Sequence, residues 1–424
     1  MRLTNRFQTG EWRSIWLLAR TAVRRRPYYW GGSVIVILVV FLFSHWLNES
    51  ESLLGVRYTL YRCALYCLPW KPYARETCIV LIDDDTYYKG EPAGRSPLKR
   101  HFLANLVKEV AAYHPAVIAI DVDLRSEDPT GRQLSNARNS TLRLPVVPDF
   151  AEESADLLEA IRDVSQNCKV VLAKTVGREN TYVMQSDIYD GFNFKLPEVP
   201  QRRVSWGYVI LPNDKRYLPR IVRLKDNSPL DSFAIAAVRA RCPRALHGAD
   251  WEKPRLGLFL APETMVTHTV SQFSKPVANQ SELLDDIEHQ IVLIGGNWSR
   301  HGYAQGEPVD TYTTPFGDLP GVFIHANYIE TLLSHRTTMP LGVATAVDLI
   351  AAAVFAILLG LEFRPAVNAS ILLCAIAFSV VITIELLLHF GIFCDLIIIN
   401  IGLVLHLAIE PHVESLFGRS TAHK

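Results

Sequence analysis

The sequence predicts an extracytoplasmic α/β domain, a mostly parallel sheet flanked by helices, carried on four transmembrane α-helices, one N-terminal and three C-terminal. Three features predict it. Long apolar runs stand at the two ends of the chain, arginines crowd ahead of the first run, and short buried-strand patterns alternate with helical ones in between. The same partition explains a hydrophobic content of 49%, high for a soluble chain of 424 residues.

The first run lies within residues 31–47, uninterrupted from Val34 to Phe43 and flanked by Tyr28, Tyr29, Trp30 and Trp46. With the weaker residues on both sides it approaches the ~20 residues that cross a bilayer, and the aromatics suit the interface. A cleaved signal peptide fits less well, because about thirty residues precede the run and no small-x-small site follows it. Runs 341–361, 366–388 and 392–409 come later, separated by Glu362-Phe363-Arg364-Pro365 and His389-Phe390-Gly391. Buried helices of a soluble core are the rival reading, which three such runs in succession disfavour. Arg2, Arg6, Arg13, Arg20, Arg24, Arg25 and Arg26 put the arm 1–30 in the cytoplasm by the positive-inside rule. Residues 48–340 then fall outside, Arg364 inside, and the tail 410–424 with Arg419 and Lys424 inside. The expected setting is a bacterial inner membrane, with the main domain periplasmic. Glu385 and Asp395 are ionisable groups in or beside the last helices, and their place near the outer interface argues against an ion path.

Lys+Arg and Asp+Glu are equal at 43 each, which gives no sign of a nucleic-acid partner. Seven cysteines offer no framework. Cys63 and Cys67 stand four apart, where a disulfide within a helix would be strained, and packing thiols are the simpler reading. No nucleophile elbow, His-rich metal motif or phosphate loop occurs, and His268, His289 and His301 lack partner spacing. No enzyme activity, cofactor or metal is therefore expected.

Between the membrane runs, 51–70 reads as an amphipathic helix ended by Pro69 and Pro72. Cys78 to Ile82 is a buried strand followed by Asp83-Asp84-Asp85. Leu98 to Tyr113 is a helix by its 3.6-residue pattern, and Ala116 to Val122 is a second strand, so the two should be parallel. Residues 128–149 are polar and aperiodic. A helix over 152–167 and a strand over 169–175 follow. Val204 to Arg223 reads as a hairpin turning at Asn213-Asp214, and Phe233 to Arg241 as a helix. Gln290 to Gly296 is a buried strand, Thr313 to Gly317 a loop, and Val322 to Leu333 a helix leading to the membrane.

Ligands of parallel α/β sheets gather outside the carboxyl ends of the strands. Asp83, Asp84, Asp121, Asp123, Gly295, Gly296 and Asn297 all fall at such ends, and His325 and Asn327 open the helix after the last loop. One crevice collecting them would be an acidic pocket with backbone amides, suited to a hard cation or a polar ligand. The structural alternative is that the acids cap turns and the glycines permit them.

In this order the segments resemble the type-two CHASE domain, an extracellular sensory module of bacterial receptors. The matching pieces are Ile82-Asp83-Asp84, Arg95 to Arg100 as Arg-x-Pro-Leu-x-Arg, Ile120 to Leu124, Trp206-Gly207-Tyr208 with Pro212-Asn213-Asp214 and Arg220, Ile291 to Gly296, and above all Thr314 to Asn327. The resemblance covers roughly 50–335. It implies a sensor-like protein whose periplasmic domain binds a ligand or an envelope protein. Such receptors usually carry an output domain after the last helix, whereas 410–424 is too short for one, so a separate protein partner is expected to supply output. A Trp-Pro-Trp-like stretch usual near Arg95 is replaced by Arg95-Ser96-Pro97. An anchoring or structural subunit of an envelope complex is the second reading, supported by the Arg-rich arm with Trp12, Ile15, Trp16, Leu17 and Leu18. The bilayer is a partner in both readings, and self-association is compatible with either.

Overall fold

Strands buried along almost their whole length build the centre of the molecule in the computed structural model, which describes residues 73–95, 98–124, 150–174, 203–224, 227–247, 251–252, 257, 259–273, 280–299, 310–334, 341–360 and 365–390, with scattered positions between 33 and 65 and residue 404. The strands are β1 (Thr77–Ile82), β2 (Val117–Asp121), β3 (Lys169–Lys174), β4 (Val204–Tyr208), β5 (Val222–Arg223), β6 (Pro229–Leu230), β7 (Val266–Thr269), β8 (Ile291–Gly296), β9 (Thr311–Thr314) and β10 (Gly317–Pro320). The longer helices are α1 (Arg100–Ala111), α2 (Phe150–Val164), α3 (Phe233–Arg241), then the short α4 (Val270–Phe273), α5 (Gln280–Ile287), α6 (Gly321–Leu333), α7 (Leu341–Gly360) and α8 (Pro365–Phe390).

Six strands form one sheet in the order β4-β3-β2-β8-β1-β7, every neighbouring pair parallel. A parallel sheet needs cover on both faces, which is why its strands read as unbroken apolar runs. Cys78, Val80, Ile82, Ile118, Ile120, Val292 and Ile294 face Phe102 and Leu106 of α1 and Leu157 and Ile161 of α2. The intervening side chains face α3 and α6, which pack against β3 and β4 and against β1 and β8 respectively. Each large side chain buried in this way contributes about 1.5–3 kcal/mol. Although last of the six in the chain, β8 is inserted between β1 and β2, so the strand order turns at the middle of the sheet.

The expected parallel strand–helix–strand units are present. The expected hairpin over Val204 to Arg223 is not. β4 instead continues the parallel sheet beside β3, and Val222–Arg223 pairs antiparallel with Pro229–Leu230. The turn at Asn213-Asp214 exists, with the Arg216 and Tyr217 amides donating to Asp214, but it joins no two strands. Apolar alternation identifies a strand without naming its neighbour. The loop expected at Thr313 to Gly317 is a hairpin: β9 and β10 pair around Pro315-Phe316, with Gly317 at φ +98° and the Thr314 hydroxyl donating to the Gly317 carbonyl at 2.7 Å. β7 and α5 have no counterpart in the expectations. The helix expected over 51–70 and the insertion 128–149 lie largely or wholly outside the described residues.

The Arg-x-Pro-Leu-x-Arg segment is structural. Arg95 grips the Glu153 carboxylate with both Nη atoms, and the Arg100 amide donates to the same carboxylate at 2.9 Å. Only 2% exposed, Arg100 reaches the Ser154 hydroxyl and, at 2.8 Å, the Leu124 carbonyl. One buried guanidinium thus fixes α1, α2 and the end of β2. The described cysteines are free thiols; Cys78 and Cys168 are buried, and loss of hydration raises Cys168 to about 11.

By contacts the chain divides into two units, Leu68–Thr337 and the pair Met1–Cys67 with Thr338–Lys424. In the second unit, α7 and α8 expose Leu349, Ile350, Val354, Ile357, Leu373, Phe378 and Val381. Counting only described residues, of which several α7 and α8 side chains are not part, no helix is long and apolar enough to cross a membrane. The runs 31–47 and 392–409, and Asp395, lie largely or wholly outside the described residues. Asp348, unremarked in the sequence, and Glu385 are partly buried on α7 and α8.

Gly207 packs so closely on α3 that an added Cβ would stand 2.6 Å from the Phe233 backbone. Gly207→Ala is expected to cost about 1–3 kcal/mol, read as a lower midpoint in thermal unfolding of the detergent-purified protein. An unchanged midpoint would contradict this packing.

Candidate functional site

The three central strands end side by side, with Asp121 opposite Gly295 and Ile82 opposite Gly296. Because Ile118, Ile120 and Val122 belong to the α1–α2 face, Asp121 is directed to the α6 face. Gly295 shares that face. A Cβ there would lie 2.7 Å from the Val322 Cβ, so its bare backbone lets the first turn of α6 seat on the strand ends.

The start of α6 completes the arrangement. The Gly321 amide donates to the Asp310 carbonyl at 2.9 Å, and a Cβ on Gly321 would strike the Asp310 carboxylate. His325 lies one helical turn further along the same face as Gly321. It is 2% exposed and packs edge-on against Phe233, with ring centroids 5.1 Å apart. One ring nitrogen is hydrogen-bonded to the Val209 backbone; Nδ1 has no partner. Tyr312 hydrogen-bonds Asp310. Lys215 Nζ sits 4.8 Å from the Tyr312 ring centre and donates to the carbonyls of Pro212 at 2.6 Å and Asn213 at 3.4 Å. The Tyr328 hydroxyl holds this loop by donating to the Lys215 carbonyl at 2.9 Å.

Burial sets the charges. Loss of hydration lifts the Asp121 carboxyl to about 7, and no hydrogen bond among the described residues offsets it. Asp310 is exposed at the rim, yet its carboxyl is also raised, by lost hydration against the opposing Tyr312 hydrogen bond and with the added charge of Asp121. Lost hydration drives His325 down to about 4, so its imidazole is neutral at physiological pH. Burial likewise lowers Lys215.

The other expected site residues do different work. Asp83 accepts from the Thr86 amide at 2.8 Å and caps the π-turn Asp85–Lys89. Asp84 accepts from the Ser299 amide at 2.6 Å and its hydroxyl at 2.9 Å, anchoring the loop after β8, where Trp298 stacks on Tyr87 at 4.4 Å. Asp123 is exposed, and the Asn297 amide donates to the Ile82 carbonyl at 3.0 Å. Fully buried, Asn327 accepts from the Leu260 amide at 2.6 Å and donates to the Met265 sulfur at 3.5 Å. The single expected crevice is thus reduced to Asp121, Gly295 and His325, joined by Asp310, Tyr312 and Lys215. Those last three stand in aperiodic loops or a two-strand hairpin, so no sequence period marked them; nearness of Asp310 and Tyr312 to the Thr314–Asn327 segment was the one available signal.

A separate cleft of about 660 Å³ opens between the π-turn, α1 and the start of α4, lined by Lys89, Glu91, Phe102, Lys108 and Glu109 among others. Its charges are mixed, and lost hydration together with Glu91 raises Glu109. Among the described residues no group of three His, Cys, Asp or Glu is placed to hold a metal ion.

A folded-state value above the ordinary 3.8 means that Asp121 stabilises the fold in its protonated form. That contribution is complete below pH 3.8 and is lost as the pH rises through about 7. Asp121→Asn is therefore expected to be more stable than wild type at pH 8 by on the order of 1–3 kcal/mol, the difference shrinking toward pH 4. Denaturation across this pH range checks it; parallel profiles would contradict it.

Compared with known proteins, the chain matches the CHASE2 domain family over residues 34–361. Neither the curated proteins nor the solved structures contain a match. The matched span begins inside the first apolar run and ends with the second, and the six-stranded parallel sheet lies wholly within it. CHASE2 domains are extracytoplasmic sensory domains of membrane proteins, which suggests a sensor-like role. Matched over more than three hundred of its residues, the chain belongs to the CHASE2 domain family.

Proposed function

We propose that this protein is a bacterial inner-membrane sensor whose periplasmic CHASE2 domain takes a ligand at the Asp121–Asp310–His325 cluster and signals through a protein partner. The observation that carries the reading is a pair of acceptors left without donors where the strand order turns, the half-buried Asp121 carboxyl and the fully buried His325 Nδ1. A buried polar atom such as this Nδ1 costs about 1–3 kcal/mol when unsatisfied, and strand ends at a turn of strand order are where such sheets take ligands. Gly321 and His325 are both on α6, which ends at Leu333; α7 begins at Leu341. A shift of α6 on ligand binding thus has a short covalent route to the next apolar helix. The apolar runs, the arginines before the first and the exposed apolar side chains of α7 and α8 support one N-terminal and three C-terminal membrane helices around the domain.

Two experiments test this. Alkaline phosphatase fused at residue 200 is expected to be active and a cytosolic fluorescent reporter there dark; the reverse would place the domain in the cytoplasm and end the sensor reading. Affinity purification in mild detergent with mass spectrometry is expected to recover a protein partner in stable amount. A partner-free monomer, indifferent to any added ligand, would count against it.

A further inference from the structure

We infer that the end of the domain where the strands begin docks on an anionic phospholipid surface, through Arg75, Arg241, Arg244 and Tyr73. The inference rests on the membrane helices of the reading above and is independent of its ligand site.

The path of the chain selects this end. α6 starts over Gly295, at the carboxyl ends of the strands, and closes at Leu333, at their amino ends. There Glu330 ties it to the start of β1, accepting from the Thr77 hydroxyl at 2.7 Å and the Glu76 amide at 2.9 Å. Both covalent connections to the apolar runs therefore leave from the amino ends of the strands. Residues 334–340 separate α6 from α7 and can span no more than ~30 Å.

Side-chain contacts gather a basic corner at the same end. Arg241, the last residue of α3, lies 4.0 Å from the Glu76 carboxylate, next in the chain to Arg75. The Ala74 amide donates to the Thr264 carbonyl at 3.1 Å and leaves Tyr73 63% exposed. Arg244 is exposed on the tight turn Pro243–Leu246, which packs against α6. Neither Arg75 nor Arg244 has a side-chain partner among the described residues. Lys169 donates to the Ala240 carbonyl at 2.5 Å and Arg203 to the Ser165 carbonyl at 3.1 Å. These two offset the partial negative charge at the carboxyl ends of α3 and α2, so the positive charge of the arginines is left for a partner. Glu76 is the acid in contact with this group, and Glu263 and Glu288 stand ahead of β7 and β8.

The chemistry names the surface. Guanidinium groups bind phosphate oxygens through paired N–H donors, and tyrosine rings settle at headgroup level with the hydroxyl in water. An exposed tyrosine among arginines, on the end tethered to membrane helices, fits a layer of anionic headgroups. The tether keeps that layer at a high effective concentration, so individually weak contacts suffice.

The full-length protein is reconstituted in nanodiscs of phosphatidylcholine alone and of phosphatidylcholine mixed with phosphatidylglycerol. Hydrogen exchange of segments 73–76 and 239–247 is followed by mass spectrometry. Exchange is expected to be about fivefold slower in the anionic discs, and the difference to vanish in about 0.5 M salt and in the Arg241→Gln, Arg244→Gln double variant. The hairpin Thr311–Pro320, at the other end of the sheet, should exchange alike in both discs. Salt tests the wild type directly, so a variant that fails to fold does not shield the inference. Equal exchange in the two discs, or slowing that survives both salt and the substitutions, overturns it. Slowing by inorganic phosphate in phosphatidylcholine discs, without an effect of phosphatidylglycerol, assigns a free anion and overturns the membrane surface. Failure of the chain to enter discs of either kind overturns the membrane reading itself, and this inference with it.

Discussion

The central strands of a parallel sheet with helices on both faces leave little room for polar side chains along their length, and the polar chemistry of those strands is confined accordingly. β1 is buried at all six positions and β8 at its first five, with cover from α1 and α2 on one side and α3 and α6 on the other. Polar groups survive where the strands run out. Asp83 and Asp84 leave the sheet at once and are taken up by the Thr86 amide and by Ser299. Asp121 is still in register with Gly295, under the first turn of α6, and finds no such partner. The same covering rule that makes the sheet stable therefore creates its least comfortable residue, in the place where a ligand has the most to offer.

Several buried polar groups elsewhere in the domain are satisfied, whereas His268 Nδ1 and Gln290 Oε1, like His325 Nδ1, find no partner among the described residues. Glu330 accepts from the Thr77 hydroxyl at 2.7 Å and the Glu76 amide at 2.9 Å, closing the opposite end of β1. Arg100 is bound on two sides, and Asn327 fastens the loop around Leu260. These groups specify the fold. Asp121 has no such partner and His325 has one on only one ring nitrogen, and the charge of each acts on Asp310. α6 carries both kinds, with His325 near its start and Glu330 near its end, so one helix links the cluster to the base of the sheet.

Much of this was legible in the residues. Strands such as Cys78 to Ile82 and Ile291 to Gly296 announced themselves because burial on both faces produces uninterrupted apolar runs. Phe233 to Arg241 was recognisable as a helix, and the structure adds its cap, the Ser232 hydroxyl accepting from the Ile235 amide. Partner choice was not legible: Val204 to Tyr208 alternates as any strand does, and only tertiary contact sends it to β3 instead of Val222. In the site, Asp121 and His325 were marked by their places at a strand end and a helix start. Asp310, Tyr312 and Lys215 were not, because their roles come from loops folding over the sheet and no local period records that. Asp83, by contrast, followed the capping chemistry that its position after β1 allowed.

The ionisation of Asp121 is the quantity on which the site depends. With aspartate carboxyl carbons labelled with ¹³C, the detergent-solubilised protein can be titrated by nuclear magnetic resonance and the Asp121 signal assigned from Asp121→Asn. One carboxyl titrating near pH 7, missing from the variant, is the expected result. Titration of every described aspartate in the ordinary acidic range would contradict a poorly hydrated carboxyl without a partner, and with it the site proposed here.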